Sequence, residues 1–347
     1  MKGLILAGGF ATRLRPLSCS KPKLLFPVVG VPLIDLMTAW LREGGVREVI
    51  LAVNHLSERL RLEVGERRLG SKIRLLIETE PLGTAGPIRL ARRFLDADEP
   101  FVVVNGDIVS DINLGEMARA HGEHSALATV ALVSVSDPIQ YGSVTLTPDG
   151  RIAKFTEKTP ARSKSTLVNA GAYVLSPRVL DFIPPSGPAS LERAVFPRLA
   201  EMGVIWGWKH SGYWYDIGRI PGYVKANMEI LRKSRMKATP ALEGPWIGRK
   251  AVRPFHIGKG SHVQSGVRLG PNAILSERVL VGEKSRVTDS IIFEDTAIGE
   301  NCIVEGALIG ERVVIGEDSK IGKGAIVAGQ ISVPKGSIIK ENSVILT

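Results

Sequence analysis

The chain has 347 residues, 44% of them hydrophobic, with a formal net charge of +10 and an isoelectric point near 9.7. This length fits two domains, and the apolar content supports a sizeable core and argues against general disorder. Two cysteines, Cys19 and Cys302, exclude a disulfide framework and a cysteine zinc site and are expected to be plain buried thiols.

The first residues lack the apolar stretch of a signal peptide, and the longest mostly apolar run, Ala126–Val135, is too short to cross a membrane. A soluble cytoplasmic protein with no membrane partner is expected. A basic surface attracts polyanions, either nucleic acid or nucleotides and sugar phosphates. The basic runs Arg61–Arg74 and Arg232–Lys237 interleave few aromatics and read as solvated helix faces, which disfavours nucleic acid.

In chain order, strands are predicted at Lys2–Leu6, Glu48–Val53, Ile73–Ile77 and Phe101–Val104. Between them fall helices at Pro32–Glu43, Ser57–Leu69 and Thr84–Leu95. The first ends at Gly44-Gly45, the second begins at a capping serine, and Thr84 reads as the cap of the third. This alternation predicts an α/β fold, a doubly wound, mainly parallel sheet of Rossmann-like type. Ligands of such sheets bind beyond the carboxyl ends of the strands. A hairpin follows at Ser143–Glu157, turning at Pro148-Asp149-Gly150.

From about Pro245 the period changes. Aliphatics recur every sixth residue from Ile257, Val263 and Leu269 to Val333 and Ile339, with five-residue steps at Val287–Ile292 and Val304–Ile309. One inward aliphatic per flat side is the pattern of a parallel β-helix. The domains are therefore expected at 1–240 and 245–347, joined through Arg232–Gly244.

The loop after the first strand, Leu6-Ala7-Gly8-Gly9 followed by Thr12, Arg13 and Arg15, with Lys21 and Lys23 beyond, suits a phosphate cradle. Paired glycines let backbone N–H groups approach an anion, and the cations add charge. It is neither a Walker A loop nor GxGxxG, so a dinucleotide cofactor is disfavoured. Asp107, in Asn105-Gly106-Asp107, stands at a strand's carboxyl end, where a carboxylate suits a hard metal ion.

The text LAGGFATRLRPLSCSKPKLLFPVVGVPLID (6–35) resembles the signature of the sugar-nucleotide pyrophosphorylases, nearest to the mannose-1-phosphate guanylyltransferases. ETEPLGTAGPI (78–88), VVNGDI (103–108), YGSVTL (141–146), FTEKTP (155–160), VNAGAYVLSP (168–177), SLERAVFPRLA (190–200) and GYWYDIGRIPGYVKAN (212–227) extend it over nearly the whole chain.

The resemblance implies GTP and mannose-1-phosphate as substrates, GDP-mannose and pyrophosphate as products, Mg²⁺ as cofactor, and a left-handed β-helix. It implies that Arg13 and Lys23 meet the reacting phosphates and that Asp107 and Asp216 hold the metal. Nucleotide contacts are expected from Leu6, Ala7, Gly8, Gly9, Thr12, Glu80, Gly83 and Thr84. The sugar phosphate is expected at Tyr141, Gly142, Glu157, Lys158 and Asn169. Trp206, Trp208, Tyr213, Trp214 and Tyr215 read as core aromatics rather than a sugar wall. Ala11 stands where the family has glycine, and at positive φ it would be strained.

Three other readings stay open: glucose-1-phosphate with UTP or dTTP on the same fold; a non-catalytic regulatory subunit, as in a translation-initiation exchange factor of similar architecture; and an acyltransferase tail, which only His256 and His262 could serve with a base. The exposed sides and ends of the β-helix favour a homo-oligomer.

Overall fold

The computed structural model describes residues 1–54, 58–66, 70–138, 141, 143–156, 166–233 and 251–346. The chain divides into two compact units, Met1–Phe10 with Ile34–Asp216, and Ala11–Leu33 with Ile217–Thr347.

The first unit opens with β1 (Lys2–Ala7). The short pair β2 (Pro27–Val28) and β3 (Val31–Pro32), which belongs to the second unit, leads into α1 (Leu33–Glu43). Then come β4 (Glu48–Asn54), α2 (Glu58–Glu66), β5 (Lys72–Glu78), α3 (Gly86–Ala91), β6 (Phe101–Asn105), β7 (Ile108–Ser110) and α4 (Leu114–Glu123). The unit ends with β8 (Ala128–Ser134), β9 (Ser143–Leu146), β10 (Ile152–Thr156), β11 (Leu167–Leu175), α5 (Phe196–Glu201), β12 (Ile205–His210) and β13 (Trp214–Asp216).

α1 buries Leu33, Ile34, Met37 and Leu41, the spacing of one helix face. It stops at Gly45 (φ +84°), with Val46 N–H bonded to the Leu41 carbonyl (3.0 Å) and Gly45 N–H to that of Arg42 (2.9 Å). That is a Schellman cap, closed by contact between Leu41 and Val46 beneath Gly3.

β4 and β6 are buried along most of their length because helices cover both faces of a parallel sheet. The strand order is β10-β9-β11-β6-β1-β4-β5, with β11 antiparallel to β6 and β8 joining β11 to β12. The chain runs from β1 outward through β4 to β5, then returns to place β6 on the other side of β1. The order therefore reverses between β1 and β6, which creates a ligand crevice beyond their carboxyl ends.

In the second unit, α6 (Ile220–Lys233) accompanies short strands from β14 (Phe255–Ile257) to β29 (Val344–Ile345). These form three parallel sheets, the sides of a left-handed β-helix. In one ladder Ile257, Leu275, Ile292, Ile309, Val327 and Ile345 stand in register. The predicted inward aliphatics line the core, and both five-residue steps turn into this same side. Ile309 is fully buried at the centre. Ile309→Ala is expected to cost about 2–5 kcal/mol in denaturant unfolding; a shift near zero would mean this core is not close-packed.

One flat side, expected to be exposed, is covered. Its outward residues Ile274, Ile291 and Leu308 are buried, and α6 shares a groove with the latter two through Ile220, Val224 and Met228. Phe26 meets Tyr223 (5.6 Å) and Phe293 (5.4 Å) edge-on, joining segment 11–33 to α6 and the β-helix. Tyr223 donates to the Pro27 carbonyl, and the Val29 N–H donates to Asn227 (2.7 Å). Cys302 is buried as expected. Cys19 is exposed, because the turn Leu17–Cys19 commits Leu17 to the core and leaves Cys19 facing away.

Candidate active site

The crevice is built from strand ends of the first unit. Leu6 pairs with Asn105, and the Gly106 N–H donates to the Leu6 carbonyl (2.8 Å), so Leu6-Ala7-Gly8-Gly9 and Asn105-Gly106-Asp107 lie side by side. A Cβ on Gly8 would come within 2.2 Å of a Glu78 oxygen, whereas one on Gly9 would meet open space. Gly8 is thus a close-approach position against Glu78, and the loop is open at Gly9.

β13 pairs antiparallel with β7, and Asp216 lies opposite Ile108, the neighbour of Asp107. This register sets the backbones of the two predicted metal ligands near one another beyond the end of β6. The side-chain oxygen of Asn105, just before Gly106-Asp107, is buried and has no hydrogen-bond partner. Two carboxylates and a neutral oxygen are the donor set of a hard divalent cation whose remaining ligands come from phosphate and water. Among the described residues no group of three or more His, Cys, Asp or Glu forms a fuller cage. A cation held by two carboxylates plus substrate needs no such cage.

Glu78 closes β5 and was not singled out from the sequence. It is 3% exposed; one oxygen accepts from the Leu82 N–H (3.4 Å) and the other has no partner. Burial pushes its carboxyl above the ordinary carboxylate range. Its signal in the sequence was faint, since a glutamate at a strand end normally faces water.

Beyond Glu80, Gly83 takes φ +73° with its Cα against the Ala189 carbonyl, a place only glycine fits. Thr84 does not cap α3, which starts later with Ala85 at its cap position. A stronger partner claims its hydroxyl: it donates to Glu192 (2.7 Å) and accepts from the Leu191 N–H (2.9 Å). Glu192 also accepts from Ser190 (2.7 Å) and from the Tyr173 hydroxyl (3.2 Å). Asn169 donates to that same Tyr173 oxygen (2.9 Å). Full burial and then the Glu192 charge hold Tyr173 neutral. The network thereby joins Asn169, predicted on the sugar side, to Thr84, predicted on the nucleotide side.

Trp214, expected in the core, is half-exposed. It donates to the Ala170 carbonyl (2.8 Å) and meets Tyr141 edge-on at 5.3 Å. Gly142, Glu157 and Lys158 lie outside the described residues.

Thr12, Arg13 and Lys23 belong to the second unit, on turns Thr12–Leu14 and Lys23–Leu25. The departure at Ala11 shows its cost there: it adopts φ 49°, ψ 34°, held by Ser18 and Leu14 bonding its carbonyl. The left-handed region costs an L-residue about 1–2 kcal/mol, partly offset by the smaller unfolded-state entropy of alanine. Ala11→Gly is expected to stabilise by roughly 0.5–1 kcal/mol, read as a raised melting temperature; a lowered one would show that no strain is stored.

Comparison with known proteins agrees with this architecture. The family model described as "Nucleotidyl transferase" matches residues 2–233, and "GMPPB C-terminal domain" matches 224–347. A zebrafish (Danio rerio) protein named mannose-1-phosphate guanylyltransferase catalytic subunit beta is 40% identical over 74% of this chain and 72% of its own length. Mannose-1-phosphate guanylyltransferase 1 of Arabidopsis thaliana is 36% identical over 95% of this chain and 85% of its own. The crystal structure of HddC from Yersinia pseudotuberculosis complexed with GMP-PN is 28% identical. It covers 66% of this chain and 99% of that one at a TM-score of 0.57.

Proposed function

Since the chain belongs to the nucleotidyl transferase family and makes an NDP-sugar from a nucleoside triphosphate and a sugar-1-phosphate, we propose that its substrates are GTP and mannose-1-phosphate. A phosphate oxygen of the sugar attacks the α-phosphorus of GTP in line. The α–β P–O bond breaks, pyrophosphate leaves, and GDP-mannose forms. Such a transfer needs positioning and charge neutralisation rather than a covalent intermediate.

The observation that carries the choice of base is Glu78. Guanine alone presents two adjacent donors, N1–H and the N2 amine, on its pairing edge; uracil and thymine offer one imide N–H between two carbonyls. A carboxylate with one oxygen unsatisfied and buried beside Gly8 is complementary to the donor pair. Glu80, Gly83 and Thr84 shape that end of the pocket. The sugar is taken from the names of the relatives.

Leu6, Ala7, Gly8, Gly9 and Thr12 bind the nucleotide phosphates through backbone N–H groups and a hydroxyl. Arg13 grips the departing pyrophosphate with its forked guanidinium, and Lys23 neutralises charge at the reacting phosphates as a point cation. Tyr141, Gly142, Glu157, Lys158 and Asn169 hold the sugar phosphate, with Trp214 beside Tyr141 as a wall.

Enzymes of this family generally use a divalent metal. Here it is Mg²⁺ on Asp107 and Asp216, where it would supply charge stabilisation to the phosphates. The catalytic domain spans 1–240 and the β-helix 245–347. No helix among the described residues is long and apolar enough to cross a membrane. The protein works in the cytoplasm as a homo-oligomer, for which exposed Leu280 and Val314 on an uncovered side of the β-helix offer a surface.

Pyrophosphate release across GTP, ATP, UTP, dTTP and CTP, each with mannose-1-phosphate or glucose-1-phosphate, tests the reading. Release strongest with GTP and mannose-1-phosphate supports it. Preference for another pair corrects the specificity, and no release from folded protein would point to a regulatory subunit.

A further inference from the structure

Segment 11–33 carries Arg13 and Lys23, yet its partners within its unit come from α6 and the β-helix. One of its buried polar contacts is ionic. Lys21 is 4% exposed; its ammonium reaches Glu311 at 3.3 Å and pairs more closely with Glu294. Glu311 is 1% exposed and Glu294 18%, both on the β-helix. Local spacing does not bring Lys21 to those two glutamates, which lie 273 and 290 residues away.

From this cluster we infer that Lys21 is a positioning residue for Lys23, and that the β-helix is thereby part of the catalytic apparatus. The inference rests on the proposed role of Lys23. Only Pro22 separates the two lysines, and its ring fixes one backbone dihedral between them. On the other side of Lys23, Leu24, Leu25 and Phe26 are buried, and Pro27 and Val29 are bonded to Tyr223 and Asn227. Lys23 is thus held from both flanks. The flank toward Arg13 is held by the Lys21 ammonium between two carboxylates and by the Lys21 N–H on the carbonyl of buried Leu17 (3.3 Å).

A buried ion cluster adds little stability over apolar packing, but it admits few geometries. Releasing it lets the Lys23 backbone shift, and a displacement of about 1 Å can cost a reaction roughly 100-fold. Lys21 itself touches no substrate in this scheme; it acts through its neighbour.

The test is a double-mutant cycle on the full-length enzyme, measuring kcat and KM for both substrates. Lys21→Met is expected to lower kcat roughly 10- to 100-fold and Lys21→Arg to restore most of it. In a Lys23→Ala background, Lys21→Met should change kcat less than about twofold, because residues acting as one unit are non-additive. Equal loss in both backgrounds, or wild-type kcat in Lys21→Met, would overturn the inference while leaving Lys23 catalytic. Wild-type turnover by Lys23→Ala would instead remove the role of Lys23 itself. Should Lys21→Met fail to fold, Glu294→Gln on the more exposed partner runs the same cycle with the same opposed outcomes.

Discussion

Asp107→Asn is expected to lower kcat about 1,000-fold at saturating GTP, mannose-1-phosphate and Mg²⁺, with the melting curve nearly unchanged. The asparagine keeps the size and one acceptor oxygen, so the turn after β6 survives. What disappears is the negative charge that, with Asp216 opposite the neighbouring Ile108, would hold a divalent cation in the proposed site. Metal-assisted charge stabilisation is worth several kcal/mol, and each 1.36 kcal/mol is a factor of ten in rate. Raising Mg²⁺ should recover only a small part of the loss. Near-wild-type turnover would show that another carboxylate holds the metal.

Glu78→Gln should reduce kcat/KM for GTP roughly 10- to 100-fold, the worth of a hydrogen bond to a charged acceptor, while leaving whatever turnover UTP supports almost untouched. The amide oxygen can accept one guanine donor, but its NH₂ opposes the other. Equal losses with both nucleotides would place Glu78 outside base recognition. The pH dependence follows from the same residue. Burial raises its pKa above 4.5, so the ionised form strains the free protein as pH rises through that raised value. Glu78→Gln should therefore be more stable than the wild type at neutral pH, the difference vanishing below about pH 4.5. GTP affinity of the wild type should fall as acid protonates the carboxyl, because a protonated oxygen is a donor facing a donor. GTP affinity independent of pH through this range would contradict the pairing.

The sheet and the β-helix were legible because both are periodic. β1, β4, β5 and β6 are apolar runs bounded by turns, and the six-residue aliphatic repeat survives two five-residue steps. The place of Asp107 just beyond a strand's carboxyl end was legible because it follows such a run directly. Glu78 was not: its burial comes from lateral stacking of β1, β4 and β5, which sets it beneath Gly8, and no local pattern encodes that. Thr84 misled because a threonine before a helix is an ordinary cap, whereas Glu192, far along the chain, captures its hydroxyl. Trp214 looked like core because strand spacing does not reveal that Tyr141 lies against its ring. The tie between Lys21 and the β-helix is likewise a matter of long-range charge, invisible to spacing.

That tie also has a meaning for synthesis. Residues 11–33 leave the ribosome long before the surfaces that order them, Tyr223, Phe293, Glu294 and Glu311. The nascent chain can close its early strands while residues 11–33 wait without their binding surface. Contacts of such sequence separation form slowly. A polypeptide released before those surfaces are made would carry the early strands of the sheet without the partners that order residues 11–33.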